Sequence, residues 1–310
     1  MPAATAAAVC YRRRVRIDAL NRSELAAAAE VLAAACPYDR AAPVADEKLF
    51  GDGPSGPPRA FGAWDGGALA GVAAVAGDRL RVLAVAPGAR GRGIGGALLE
   101  ACVDAARGAG HRRLHALDQP GNYLAPGIDE RNTEAIAWLL RRGWQRPPRA
   151  LPRVNLLVDV RGNPRVSAAR ADELAARAAA AGYEIRRADP DEHALLPAVA
   201  AEFGGAWPFE LASALRHEPA GVHVALHREA YCAFAAHDGN NRGLGWFGPA
   251  GTWPAHRGRG LGEALLLACL VDVADTHAQC EVAWIGPRPF YEKAAGVAGE
   301  RRFVVLERPL

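Results

Sequence analysis

The chain has 310 residues, half of them apolar, with 37 Lys plus Arg against 34 Asp plus Glu and a net charge of +3. The length exceeds one ordinary domain, and the near balance of charge excludes nucleic-acid binding driven by bulk electrostatics. No window approaches eighteen uninterrupted apolar residues, so neither a membrane span nor a membrane partner is expected.

The start, MPAATAAAVCYRRRV, places small apolar residues before its charges, the reverse of a secretory signal. YRRRVRIDAL then alternates like a strand, and NRSELAAAAEVLAAA opens on cap-type Asn21 and Ser23 before an Ala-rich helix. RAFGAWDGGALAGVAAVAGDRLRVLAVAP reads as three short strands broken at Asp65-Gly66-Gly67 and at Gly77-Asp78, a meander. Apolar residues recur at helical spacing from Ile94 to Ala106, RRLHALD is a further strand, and NTEAIAWLLRRG is a capped helix ending at Gly143. PRVNLLVDV is predicted to close this unit as a strand.

Residues Arg161 to Ala181 are predicted to form a linker: a Gly-Asn-Pro break, then a helix with a weak apolar face. The order of elements then recurs. YEIRRAD is a strand, DEHALLPAVAAEF and PFELASALR are helices, and GVHVALHR, AYCAFAAHD and LGWFGPAGT form a second meander. The strand QCEVAWIG, the short helix RPFYEKAAG and the strand RRFVVLER follow. The expected fold class is α+β (mixed α/β), with an N-terminal domain at 1–160, a linker helix at 161–181 and a C-terminal domain at 182–310.

The six cysteines, Cys10, Cys36, Cys102, Cys232, Cys269 and Cys280, contain no C-x-x-C pair, which fits neither a zinc site nor a secreted disulfide framework. A reducing cytoplasm is the simplest compartment, and no metal is expected. His223, His227 and His237 sit on or beside meander strands without metal-ligand spacing.

One stretch occurs twice. PGARGRGIGGALLEAC, from Pro87, and PAHRGRGLGEALLLAC, from Pro254, agree at 11 of 16 positions without a gap. A glycine run between a strand end and a helix start lets backbone N–H groups converge beside the positive end of the helix dipole, which suits a phosphate. A Walker loop needs Gly-Lys-Ser/Thr, and neither copy has that lysine. A dinucleotide fingerprint is spelled by Gly91, Gly93 and Gly96, with Asp118 about twenty residues on. It belongs in the first turn of a parallel βαβ unit, however, whereas three meander strands precede it here and copy two has Glu263 in place of the third glycine.

The third reading is a coenzyme A loop. The runs V-x-P-x-x-R-G-x-G-hydrophobic-G from Val85 and T-x-P-x-x-R-G-x-G-hydrophobic-G from Thr252 resemble the signature of the GNAT superfamily of N-acetyltransferases. Its R/Q-x-x-G-x-G/A loop is met as Arg90, Gly93, Gly95 and again as Arg257, Gly260, Gly262. The resemblance implies two GNAT-like domains, each a mostly antiparallel mixed sheet flanked by helices with a splayed central strand. It implies acetyl-CoA as cosubstrate and a small-molecule amine acceptor, in a monomer or homodimer. Implied coenzyme contacts in the first half are Val85, Arg90, Gly91, Arg92, Gly93, Ile94, Gly95, Gly96 and Asn132. In the second half they are Thr252, Arg257, Gly258, Arg259, Gly260, Leu261 and Gly262. The two-domain layout is also similar to mycothiol synthase and to bacterial glucosamine or glucosaminide N-acetyltransferases, the latter through YLAPGID and WIGPRPFYEKAAG, which implies an amino-sugar acceptor.

Acetyl transfer to an amine needs a polarised thioester carbonyl, a neutral amine and a proton for the leaving thiolate. The resemblance puts the carbonyl beside Leu83–Val85 and Ala250–Thr252, and the proton on a tyrosine of the last helix. FYEKAAG places Tyr291 on that tyrosine, while the first half, with Asn132, Ala135 and Gly143 in register, has Leu139 there. A leucine cannot donate a proton, so chemistry is expected in the C-terminal half alone. Tyr291 beside Phe290 also fits an ordinary core aromatic. Glu281 is the nearest carboxylate in sequence for a base, though a solvated strand glutamate or a water relay fits as well. Tyr123 and Trp207 are acceptor-pocket candidates that fit packing equally. An acyl-enzyme on Cys269 or Cys280 is disfavoured, because both read as small buried apolar residues. The alternative to an enzyme is a catalytically idle acyl-CoA-binding module.

Overall fold

The computed structural model describes residues 15–148 and 153–310. The N-terminal segment read for a signal, with Cys10 and the first residues of the opening strand, lies outside the described residues. The chain runs β1 (Arg16–Ala19), α1 (Leu25–Ala35), α2 (Ala45–Phe50), β2 (Arg59–Asp65), β3 (Ala68–Ala76), β4 (Arg79–Val85), α3 (Ile94–Gly108), β5 (Arg113–Ala116), β6 (Ile128–Asp129) and α4 (Thr133–Leu140). It continues with β7 (Arg153–Asp159), α5 (Ala168–Ala180), β8 (Glu184–Arg187), α6 (Leu195–Phe203), α7 (Trp207–Leu215), β9 (Val222–His227), β10 (Ala230–His237) and β11 (Trp246–Thr252). Last come α8 (Leu261–Thr276), β12 (Gln279–Val282), α9 (Arg288–Ala294), β13 (Gly299–Val304) and β14 (Glu307–Pro309).

Local chemistry sets many of these boundaries. Gly66 and Gly67 adopt φ of 62° and 91°, which closes the β2–β3 hairpin at the expected break. The Ser167 hydroxyl accepts the Arg170 N–H at 3.3 Å and starts α5. Gly143, at φ 80°, follows the end of α4.

The strands form two sheets, ordered β1-β2-β3-β4-β5-β14 and β6-β13-β7-β12-β11-β10-β9-β8. Among the described residues only β4–β5 and β11–β12 pair in parallel, so each sheet is mixed and mostly antiparallel. Helices α1 and α3 pack on the first sheet, and α7 and α8 on the second, giving the expected α+β class.

The two halves exchange strands. The segment expected to close the first unit, β7, instead lies between β12 and β13 of the second sheet, with Leu156 and Val158 fully buried in that sheet's core. Conversely RRFVVLER does not stay in one sheet. Its first part is β13, Val305 and Leu306 cross over, and β14 pairs with β5 in the first sheet. Arg113 Nη1 donates to both carboxylate oxygens of Glu307 at 2.9 Å across that junction. Period-2 alternation names the face a side chain takes, not the neighbouring strand, so either partner satisfies the same pattern. The segment expected to be a linker forms a helix, α5, docked on α8, where Arg170 meets Glu263 at 2.5 Å.

Leu306 is fully buried in the first half's core at the crossover. Leu306→Ala is expected to lower stability by about 3 kcal/mol, the usual cost of such a cavity. Because each sheet contains the other half's strand, far-UV and near-UV circular dichroism in urea should report one shared, shifted transition.

Candidate functional site

The two glycine loops have the same backbone. A 3-10 turn at Pro87–Ala89 or Pro254–His256 leads to an extended arginine, Arg90 (φ −65°, ψ 163°) or Arg257 (φ −66°, ψ 157°). Gly91 and Gly258 both sit at φ 75°, and Gly93 and Gly260, at 83° and 79°, cap α3 and α8 in the left-handed region that side chains avoid. Each loop therefore aims the unpaired first-turn N–H groups of a long helix outward, an anion cradle. Ile94 and Leu261, each 1% exposed, turn their side chains into the cores, so only their backbone faces the loop. Gly95, Gly96 and Gly262 continue the first turn without a side chain to obstruct it.

The arginines differ between the copies. Arg90 Nε bonds Val85 O at 3.2 Å and Arg257 Nε bonds Thr252 O at 3.1 Å, each tying its loop to the preceding strand. Arg92 pairs with Asp65 at 2.5 Å. Its counterpart Arg259 lies 5.8 Å over the Tyr183 ring and, among the described residues, has no carboxylate within 4.0 Å. The second loop thus keeps more positive charge. Asn132 caps α4, its Oδ1 accepting the Ala135 N–H at 3.4 Å.

The parallel pairs β4–β5 and β11–β12 match residue for residue and then part. Arg79 and Leu80 pair with His115 and Ala116; Trp246 and Phe247 pair with Glu281 and Val282. One further bond follows in each, from Leu117 N to Leu80 O and from Ala283 N to Phe247 O. Beyond it, Trp253 N bonds Cys232 O on the β10 side, so by strand alternation the N–H groups of Thr252 and Ala250 face the opening.

The next residue decides what the opening holds. In the first half it is Arg81, fully buried, whose Nε donates to Gln119 Oε1 and Nη1 to Gly51 O, both at 2.5 Å. In the second half it is Gly248. With no side chain there, Gly248, Pro249 and Ala250 on one edge and Ala283, Trp284 and Ile285 on the other border a cavity of about 960 Å³.

That cavity collects several of the expected residues: Thr252, Arg257 and Gly262 of the loop, Tyr291, and also Tyr123 and Trp207. Tyr291 packs edge-on to Phe247 and Phe290, with ring centroids 6.4 and 5.0 Å away. Burial, with a smaller contribution from Cys280, pushes its phenol up to about 12, so it is protonated at neutral pH. Its pairing with Leu139 holds in space. A Cβ on Gly262 would lie 3.8 Å from Phe290, and one on Gly95 3.3 Å from Trp138, so the residues preceding Tyr291 and Leu139 occupy equivalent places. Leu139 itself is buried in the first core.

Glu281 is a correction. It faces away from Tyr291 into a separate cavity of about 340 Å³, where Asn155 Nδ2 donates to it at 2.6 Å and Arg301 Nη1 at 3.1 Å. On β12 the neighbours Cys280 and Val282 share the core that Tyr291 packs against, so alternation sends Glu281 to the other face. The carboxylate that does line the Tyr291 cavity is Glu210 on α7, which sequence reading passed over inside GGAWPFE. Among the lining residues only Glu210 and Arg257 carry charge. Burial pushes Glu210 up to about 7, against the pull of the Lys48 ammonium and of the Gly121 N–H. Lys48, fully buried, donates to Asn122 Oδ1 at 2.9 Å and to Asn240 Oδ1 at 2.8 Å and also pairs with Glu47; burial lowers it to about 8.

Cys269 and Cys280 are fully buried, with thiols pushed up by burial, in keeping with structural roles. His223 bonds Asp272 at 2.7 Å and His227 bonds Gly182 O at 2.8 Å. Among the described residues no group of three or more potential ligands is placed to hold a metal, and no helix is long and apolar enough to cross a membrane.

In both halves the sheet parts where a glycine cradle caps the next helix, and comparisons with known proteins bear on that arrangement. Residues 26–144 match the model of the Acetyltransferase (GNAT) family. No curated protein matches the chain in sequence. In fold it is similar to a GCN5-related glucosamine N-acetyltransferase region of a fungal multi-domain GH3 β-N-acetylglucosaminidase, with TM-score 0.75 and 17% identity over 95% of this chain. The chain spans 38% of that protein's length. It is likewise similar to a tandem GNAT protein from the clavulanic acid biosynthesis pathway, with TM-score 0.65 and 20% identity, covering 96% of this chain and 98% of that one. A GNAT protein from Sphaerobacter thermophilus gives TM-score 0.65 and 18% identity, covering 95% of each chain. Residues 26–144 are thus a domain of the Acetyltransferase (GNAT) family, and along its length the chain has the fold of tandem GNAT proteins.

A carboxyl whose folded pKa is raised binds its proton more tightly in the native state, so stability falls as pH rises between the two values. From pH 4.5 to about 7 the protein is expected to lose stability relative to its Glu210→Gln variant, in urea titrations at each pH. Parallel curves for the two proteins across that range would contradict the assignment.

Proposed function

We propose that the chain is an acetyl-CoA-dependent N-acetyltransferase acting on a primary amine of a small molecule, an amino sugar, by direct transfer in a ternary complex in its second half. One observation carries the reading: Tyr291 and the loop at the start of α8 open onto the same cavity through the gap between β11 and β12. The pyrophosphate of acetyl-CoA falls to the N–H cradle at 258–262, with the charge of Arg259 beside it. The N–H groups of Ala250 and Thr252, left free at the gap, face the thioester oxygen and take the charge it develops.

Glu210 accepts a proton from the incoming ammonium, releasing the amine lone pair. The nitrogen attacks the carbonyl carbon, the new C–N bond forms, and the C–S bond breaks. The thiolate takes the phenolic proton of Tyr291, and the proton shed by the amide nitrogen returns to the phenolate through water. A group poised near 7 is matched to accepting a proton at neutral pH, and a phenol raised by burial is fully protonated there, so its proton is in place as negative charge develops on the leaving sulfur. The walls are aromatic, with Phe203, Trp207, Phe234 and Trp284 around one buried carboxylate, which suits the C–H face of a sugar ring carrying an ammonium group. The fold shared with a glucosamine N-acetyltransferase region supports the same acceptor class.

With acetyl-CoA and a panel of amino sugars, polyamines and peptides, acceptor-dependent release of free thiol is expected, strongest for amino sugars. Tight acetyl-CoA binding without such release would instead favour an idle acyl-CoA-binding module. Tyr291→Phe is expected to lower kcat by about 10²–10³-fold, whereas Leu139→Ala lowers stability and leaves turnover per folded molecule unchanged. Activity should rise with pH through about 7, and this limb should vanish in Glu210→Gln.

A further inference from the structure

The plug in the first sheet is connected to the cavity in the second half. Arg81 is buried without an ion pair among the described residues; its bonds go to neutral groups, Gln119 and Gly51 O. A buried guanidinium is costly to desolvate, and an apolar side chain of similar length would fill the same gap at lower cost. What the charge adds is a directed bond to Gln119, three residues beyond the end of β5 and inside the segment 117–124.

Residues 121–124 of that segment are each held by neighbours. A Cβ on Gly121 (φ 86°) would lie 2.6 Å from Pro54 in the first half and 3.1 Å from Ala206 in the second, so the backbone is wedged between them. Asn122 Nδ2 donates to Asp52 O at 2.8 Å while its Oδ1 takes the Lys48 ammonium. Tyr123 O accepts from Asn240 Nδ2 at 2.9 Å and Leu124 O from Asn241 Nδ2 at 3.1 Å, both donors belonging to the second half. Pro120 and Tyr123 then form part of the cavity wall opposite α9, Tyr123 edge-on to Trp284 at 5.5 Å and 85°. The anchored segment is the first half's contribution to the second half's site.

We propose that Arg81 is a positioning residue for the acceptor: by holding Gln119 it sets the segment 117–124 as a wall of the Tyr291 cavity, so the first half, closed by its own plug, governs which acceptor the second half takes. The proposal rests on the acetyl-transfer reading for its substrate but not for its structural test. Arg81→Met keeps the bulk and removes the bond; Gln119→Ala removes the bond from the other side; Gln119→Glu keeps an acceptor for Arg81.

With acetyl-CoA saturating and glucosamine varied, Arg81→Met and Gln119→Ala are expected to raise the glucosamine KM about tenfold. The KM for acetyl-CoA and kcat should move by no more than about twofold, and Gln119→Glu should behave as the parent. Equal changes in both KM values, or none in either, would overturn the proposal, as would a Gln119→Glu variant resembling Gln119→Ala. Amide hydrogen exchange of residues 117–124 reads the clasp without any substrate: it should rise in Arg81→Met and Gln119→Ala alone. Unchanged exchange sinks the positioning role even where acetyl transfer is measured. Absent thiol release from the parent protein, with exchange altered as expected, sinks only the acetyl-transfer reading.

Discussion

Two parallel strands that part soon after pairing leave peptide groups inside the molecule with nothing to bond. Buried backbone N–H and C=O groups are rarely left so, and each half of this chain answers the same constraint differently. At the parting the first half carries a buried cation, Arg81, which bonds the Gln119 side chain and the Gly51 carbonyl rather than the peptide groups of the two strands. The second half has Gly248 at the matching rung and leaves the gap open to a cavity. The rest of the functional architecture follows from that difference. A sealed gap permits Leu139 to be an ordinary core residue, whereas an open one leaves Tyr291 at the rim of a space large enough for a reaction.

The halves are joined by polar groups that are individually expensive to bury. Lys48 has no exposed surface, yet its ammonium is met by Glu47 and by amide oxygens from each half. Glu47 in turn accepts the N–H groups of Asn241 and Arg242, each at 3.0 Å. A network of this kind adds little net stability over an apolar contact, but it tolerates only one relative placement of its members. The same placement sets the field felt by Glu210, whose proton affinity reflects burial opposed by the lysine.

Much of this was legible in the amino-acid order. The glycine loops were readable because left-handed backbone at 91, 93, 258 and 260 needs glycine, and because the repeat holds its register. Tyr291 and Leu139 were readable as counterparts for the same reason. The contrast between Arg81 and Gly248 was present too, since both lie the same distance ahead of their loops, but a lone arginine on a strand gives no sign of being buried. Glu281 was misplaced by counting distance along the chain instead of alternation across the strand. Glu210 carried no local mark, because a glutamate in the first turn of a helix is ordinary and only the fold of the other half encloses it. Strand exchange was invisible for a deeper reason: hydrophobic alternation is satisfied by any neighbour of the right length.

Exchange also has a consequence in time. The strand that completes the first sheet carries Glu307, which meets Arg113 across a separation of 194 residues. A ribosome adding about 5–20 residues per second needs on the order of ten to forty seconds to supply that partner after β5 has emerged. Throughout that interval β5 has an unpaired edge, and its own Leu114, fully buried in the finished protein, lacks cover on one side. The nascent first half therefore waits, incomplete, for the end of the second. Its exposure to chaperones and to wrong pairing is set by the pace of translation, not by its own folding rate.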